Sequence, residues 1–394
     1  MIEKGVMLGF DDITIIPAKK SSIAHRSDCD VYREDGMLPI FASPMSSVID
    51  DSNYKEFLKN KINVVIPRNI PLERRIELMH DVFVAVSLDE FDRLFADSST
   101  CIDINEKKVY ICIDIANGHM EYLHSLVLCA KKRYRKNLVL MVGSVANVEL
   151  YRHLARIGVD YVRFGIGGGS ICTTSVVSGV HNTIPNILEG MLQIKSDVIE
   201  EYKAINRDNN EISPDFKEVE VAGMRIRLPI EMVDYMTFKA DDKVLEDENE
   251  IPKTLYTVPK VIVDGGINTF AKINKSLALG ADYVMMGGMF AQTEEACGDI
   301  IDNNEGRFHV YYGMSTHRAQ RECNQSIAKL KPEEGITKVV PIMGSLKDLV
   351  EKIIFYLREA MSLTNSRKLL DFNPENVRMQ VISSSAFKEF TDNK

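Results

Sequence analysis

Cys172 stands in GIGGGSICTT (165–174), where three consecutive glycines, a serine and a threonine pair surround one sulfur directly after an apolar run. A structural cysteine needs only apolar neighbours. Here Gly167, Gly168 and Gly169 free the backbone to turn tightly and to bring amides close to a ligand. Such a loop suits a nucleophile whose thiolate attacks an electrophilic carbon. Two further glycine pairs point to a phosphate. Asp264-Gly265-Gly266 and Gly287-Gly288 each close an apolar run, and paired glycines offer backbone N–H groups to an anion with no side chain in the way. Cysteine attack on a phosphorylated ligand is the chemistry these residues allow, and a nucleoside monophosphate is the natural guess.

These loops need a common frame. Eight short apolar runs recur along the chain: PIFASP (39–44), INVVI (62–66), VFVAVS (82–87), VYICID (109–114), LVLMVG (138–143), DYVRFG (160–165), KVIVDG (260–265) and DYVMMG (282–287). Intervening segments such as 119–135, 147–158 and 270–280 carry apolar residues at three- and four-residue spacing, the alternation of a parallel sheet covered by helices. Within 147–158, Asn147 is the expected N-cap, and Val148, Tyr151, Leu154 and Ala155 fall on one face. Eight βα units predict an α/β fold, the TIM (β/α)8 barrel, whose chemistry lies at the C-terminal ends of the strands and whose phosphate sites follow the seventh and eighth. The two glycine pairs follow those strands, and Cys172 follows the sixth.

Composition narrows the class. With 394 residues and 45% apolar content the chain can bury one large core, so a single domain over 1–394 is expected. Seven cysteines, an odd number without a CxxC pair, read as reduced thiols of a cytoplasmic protein. No signal sequence or run of about 18 apolar residues is present, so no membrane partner is expected. A net charge of −9 leaves no basic stripe to release phosphate counterions, which excludes a general nucleic-acid binder. Residues 205–258 form an insertion between strands six and seven, with thirteen acidic and seven basic side chains. Its run EVEVAGMRIRL (218–228) reads as a hairpin, placed to cover the mouth or to meet a neighbouring subunit.

The motifs SPMSSV (43–48), GIGGGSICTT (165–174), DGGI (264–267), GADYVMMGGMFA (280–291) and YYGMS (311–315), with LGFDDITIIPAKKSSIAHRSDCDV (8–31) before them, resemble in type and order the IMP dehydrogenase and GMP reductase family. The resemblance covers nearly the whole chain. It implies that Ser43 and Met45 line a purine pocket, and that Ser170, Gly265, Gly266, Gly287, Gly288 and Tyr312 hold the phosphate. It implies further that Asp264 takes the ribose hydroxyls, that Gly313, Met314 and Ser315 read the purine edge, and that Cys172 attacks purine C2. A monovalent cation, K+, would sit on the carbonyls of Gly167, Gly169 and Cys172, and the assembly would be a homotetramer.

The direction of reaction leans toward the reductase. The family's dehydrogenases carry a pair of CBS modules between the second and fourth strands, and the interval here is too short for them. IDIANGH (113–119) resembles the reductase's cofactor side, with Asp114 and Asn117 as nicotinamide contacts and Arg68 as the cofactor-facing cation. The interval from Gly313 to Gly335 is short and holds no Arg-Tyr pair to activate water. The implied reaction is NADPH-dependent conversion of GMP to IMP and ammonia. An IMP dehydrogenase without CBS modules, using NAD to make XMP, and a catalytically impaired nucleotide-binding protein are the alternatives; an FMN enzyme would leave Cys172 unexplained. Where reductases carry a glutamate that works with Thr174 in proton transfer, this chain has His317, whose imidazole can exchange protons near neutral pH. Glu334 is a second nearby carboxylate candidate, in the PEEG stretch where the family sets an acidic or amide side chain against the base.

Overall fold

The computed structural model describes residues 6–97, 99–104, 107–211, 216–221, 224–229, 251–323, 330–383, 385, 386 and 388. Each of the eight apolar runs forms a strand. They are β1 (Ile40–Ala42), β2 (Asn63–Ile66), β3 (Phe83–Val86), β4 (Val109–Asp114), β5 (Leu138–Val145), β6 (Tyr161–Phe164), β7 (Lys260–Asp264) and β8 (Tyr283–Met286). All pairings are parallel, and β8 returns to β1 to close a barrel. This is the TIM barrel. Helices including Glu121–Tyr134, Leu150–Arg156, Ile184–Glu211, Phe270–Ala278 and Leu346–Leu363 accompany the strands.

Side chains alternate along each strand, and the alternation sorts them into two cores. Residues such as Ile40, Val64, Val84, Ile111, Val162 and Val284 belong to the large cluster shared with the helices. Phe41, Val65, Phe83, Ala85, Cys112, Met141, Ile262, Tyr283 and Met285 form a second cluster inside the barrel. Its base is an aromatic plug. The Phe41 ring meets Tyr283 at 5.1 Å and Phe83 at 5.9 Å, and Phe83 meets Tyr161 at 5.2 Å, all edge-on. Rings in this geometry gain quadrupolar attraction as well as area burial.

Local details depart modestly from the sequence expectations. Asn147 is not the N-cap of its helix, which starts at Leu150; its side chain instead accepts a hydrogen bond from the Glu149 N–H. This is the local turn by which asparagine competes with helix. A long helix, Ile184–Glu211, leads into the insertion. The hairpin in the insertion is present as Phe216–Val221 paired antiparallel with Met224–Pro229, while residues 230–250, which hold the densest acidic run, lie outside the described residues. After β8 the chain builds a three-stranded antiparallel sheet from Ile300–Asn303, Gly306–Tyr312 and Thr337–Pro341. Near the termini, Ile13–Ile16 pairs antiparallel with Arg378–Val381. Among the described residues no helix is long and apolar enough to cross a membrane.

The plug supplies a stability test. Phe41 is 2% exposed, so Phe41→Ala should lower the unfolding free energy by roughly 3–5 kcal/mol, read from the urea midpoint. A loss below about 1 kcal/mol would contradict a packed barrel interior.

Candidate active site

Three segments distant in sequence interlock around Cys172. The Thr173 N–H donates to the Glu334 carbonyl at 2.9 Å, and the Ile336 N–H donates to the Ile171 carbonyl at 2.9 Å. Cys172 and Gly335 thus face each other across an antiparallel bridge. The turn at 313–316 packs on the same bridge, so closely that a Cβ on Gly335 would lie 3.0 Å from the Ser315 hydroxyl. This pairing orients the side chains. The Cys172 thiol donates to the Thr174 hydroxyl at 3.3 Å, and that hydroxyl donates to Glu334 Oε2 at 2.8 Å. A thiol, a hydroxyl and a carboxylate therefore stand in one line along which a proton can pass.

His317 does not join this line. Its N–H donates to Glu333 at 2.9 Å and its ring Nε2 lies 3.1 Å from the Lys331 carbonyl. It ties the start of the helix His317–Glu322 to the loop that carries Glu334. The expectation that His317 meets Thr174 is thus corrected: the bridge between 171–173 and 334–336 puts Glu334 there.

The glycine loops meet backbone to backbone. Gly265 and Gly266 have φ of +97° and +76°, and a Cβ on Gly266 would lie 2.8 Å from the Gly168 carbonyl. A side chain at either position would be strained and would part the loops. At the end of β8, a Cβ on Gly287 would lie 2.6 Å from Met45 Sδ and 2.9 Å from the Tyr311 hydroxyl, with Ser43 Cβ at 3.7 Å. Tyr311, not Tyr312, approaches this pair. Successive residues of a strand face opposite sides, and the Tyr312 hydroxyl donates instead to Glu322 at 2.8 Å, beneath the Arg318 guanidinium. Burial chiefly pushes the Tyr312 phenol up to about 12.

Below the loops lies a residue that the sequence reading missed. Arg163, 5% exposed, reaches from β6 to Asp114 Oδ1 at 2.7 Å and to Asp264 Oδ2 at 3.4 Å, while Arg68 Nε stands 3.4 Å from the other oxygen of Asp114. Gly143 on β5 makes room, since a Cβ there would lie 2.5 Å from Arg163 Cβ. Arg68, Asp114 and Asp264 are thereby brought into one buried charge network. Asn117 stays exposed, its side chain accepting from the His119 N–H. Ser170 is exposed, and Met314 Sδ lies 3.8 Å from the Ser46 hydroxyl. The carbonyls of Gly167 and Gly169 accept from the Ser175 hydroxyl and the Cys172 N–H, both at 3.0 Å. Among the described residues no three His, Cys, Asp or Glu side chains cluster as a metal site.

Residues 7–187 and 250–392 match the family model described as the IMP dehydrogenase / GMP reductase domain. The chain belongs to the IMP dehydrogenase / GMP reductase family. It is similar to the GMP reductase of Shigella flexneri, 26% identical over 97% of this chain and 96% of that protein. It is likewise similar to the GMP reductase of Escherichia coli O139:H28, 27% identical over 96% of each. The stretch 188–249, unmatched by the family model, includes most of the acidic insertion.

Electrostatics in this family member centre on Arg163. Burial works against its charge, but the carboxylates of Asp114 and Asp264 hold the guanidinium protonated, its pKa raised. Burial also pushes the Asp114 carboxyl up, yet the guanidiniums of Arg163 and Arg68 outweigh it and hold Asp114 below the usual range. Asp264 differs. Burial, only partly offset by Arg163 and reinforced by Asp114, lifts its carboxyl above the usual range. The Cys112 thiol beneath is pushed up to about 12 by burial and is inert at neutral pH.

A lowered Asp114 pKa fixes the sign of a pH effect. The ionised carboxylate stabilises the fold above its unfolded pKa of about 3.9, and that contribution is lost as pH falls through the lower folded value. The stability margin of wild type over Asp114→Asn should therefore be full at neutral pH and shrink below about pH 4. Urea midpoints across that range measure it, and a margin independent of pH would contradict the network.

Proposed function

We propose that the chain catalyses the NADPH-dependent reductive deamination of GMP to IMP and ammonia through a thioimidate bond between Cys172 and purine C2. The observation that carries this reading is the line from the Cys172 thiol through Thr174 to Glu334. The curated relatives named GMP reductase support the direction. Residues 265–266 and 287–288, Ser170 and Tyr311 form the phosphate cradle of this reading. Ser43 and Met45 flank the purine, the turn Gly313, Met314 and Ser315 reads its edge, and Asp264 takes the ribose hydroxyls.

In this mechanism Glu334 accepts the Cys172 proton through Thr174, and the thiolate adds to C2. The same carboxyl returns a proton through Thr174 to the amine on C2, which leaves as ammonia while the C2–N double bond re-forms. When bound, a reduced nicotinamide supplies a hydride to C2. Cys172 then leaves the resulting tetrahedral carbon as thiolate, releasing IMP. One GMP, one NADPH and two protons give one IMP, one NADP+ and one ammonium ion.

The cofactor side fits a nicotinamide. Asn69 Oδ1, beside Arg68 after β2, is buried with no hydrogen-bond partner, an acceptor that a carboxamide can satisfy. Arg68 faces Asp114, and this pairing favours the nicotinamide end over the cofactor's extra phosphate; the choice of NADPH over NADH rests on the resemblance. K+ on the carbonyls of Gly167, Gly169 and Cys172 would compete with the loop's own hydrogen bonds, and no step above uses it. The resemblance also carries a single domain over 1–394 with the insertion 205–258, a cytoplasmic location and a homotetramer.

Purified protein given GMP and NADPH should lose the near-ultraviolet absorbance of the reduced cofactor, and Cys172→Ala should abolish the loss. Glu334→Gln should lower kcat by roughly 10²–10⁴, and His317→Ala far less. A gain of absorbance with IMP and NAD would instead establish the dehydrogenase. Tight GMP binding without turnover would establish a binding protein.

A further inference from the structure

The phosphate cradle of the proposed reading consists of neutral donors. Backbone N–H groups at the glycine pairs and the hydroxyls of Ser170 and Tyr311 orient an anion without cancelling its charge. Asp264, the last residue of β7, sets a buried carboxyl directly before Gly265, and the ammonium of Lys272, outside the residues assigned to the phosphate, is held by the Gly266 carbonyl at 3.3 Å and Asn268 Oδ1 at 3.0 Å. A phosphate dianion entering this site meets no cation from the residues assigned to it so far.

Lys338 supplies one. In the sheet that follows β8, Lys338 is the direct cross-strand partner of Tyr311, and residues opposite each other in an antiparallel pair project from the same face. Tyr311 carries its hydroxyl to Gly287. Lys338 carries its ammonium to the other rim of the cradle, where Nζ donates to the Ser170 carbonyl at 2.8 Å. Among the described residues no carboxylate forms an ion pair with it, and its side chain is exposed. An ammonium has three donors; one is committed to Ser170, and two remain for an incoming oxyanion.

We propose that Lys338, anchored on Ser170, is the residue by which this site selects a phosphorylated nucleoside over the free nucleoside. The proposal rests on the purine-nucleotide reading above and adds its specificity determinant. A charge-assisted hydrogen bond is roughly twice as strong as a neutral one. On this proposal the effect of Lys338 is confined to the phosphate.

Calorimetric titration with GMP and with guanosine tests this on wild type, Lys338→Gln and Lys338→Arg. Glutamine keeps an N–H donor for the Ser170 carbonyl and removes the charge; arginine keeps the charge. Equal melting temperatures for wild type and the two exposed-site variants check that the fold is intact. Lys338→Gln should weaken GMP binding by roughly tenfold or more, 1.4 kcal/mol per tenfold, leave guanosine unchanged and flatten the salt dependence of GMP binding. Lys338→Arg should retain most of the GMP affinity. Wild type that binds GMP while Lys338→Gln binds it equally well, or loses GMP and guanosine alike, overturns the role of Lys338 and leaves the nucleotide reading standing. Wild type that binds no purine nucleotide overturns both.

Discussion

A guanidinium buried inside a barrel must be held by opposite charge, and in this chain Arg163 satisfies that condition by spanning Asp114 and Asp264. A buried guanidinium stripped of its partners is left as an unpaired charge, at a cost of about 3–5 kcal/mol. The alternation of the strands makes the span possible. Asp114, Arg163 and Asp264 all point inward, Gly143 vacates the position between Asp114 and Arg163, and the aromatic plug closes the space below. Asp264 leads into the glycine loop of the proposed nucleotide side, and Asp114 and Arg68 line the proposed cofactor side. One buried cation thus sets the relative position of both halves of the mouth.

Above that layer the proposed reacting groups depend on backbone pairing more than on side-chain packing. The bridge between 171–173 and 334–336 fixes the distance from thiol to hydroxyl to carboxylate, and His317 fastens the loop that leads to Glu334. Glycines at 265 and 266 let the two glycine loops touch without side chains between them. Proton transfer needs donor and acceptor within hydrogen-bond reach, and the pairing provides that without a metal-binding cluster among the described residues.

The strands were legible because parallel strands buried on both faces read as continuous apolar runs, and the glycine pairs were legible because few other residues tolerate their backbone angles. Cys172 and Thr174 stood out for the same local reasons. Other features depended on relations that no local pattern carries. Arg163 looks like a lone charge in an apolar strand until its register with Asp114 and Asp264 is known; counting by two from Tyr161 would have turned it inward. Tyr311 and Tyr312 differ only by strand parity. Glu334 meets Thr174 across 160 residues of sequence, so the segment after the GMS turn drew attention to His317, which is nearer the motif and faces elsewhere.

The central claim is that Cys172, served by Thr174 and Glu334, forms a covalent bond to purine C2. Intact-protein mass spectrometry after rapid quench, with GMP and NADP+ so that hydride is withheld, tests it most directly. The account predicts a mass gain equal to GMP less ammonia, mapped to the peptide bearing Cys172 and absent from Cys172→Ala. No adduct under conditions where GMP is bound, or an adduct on another cysteine, would contradict it.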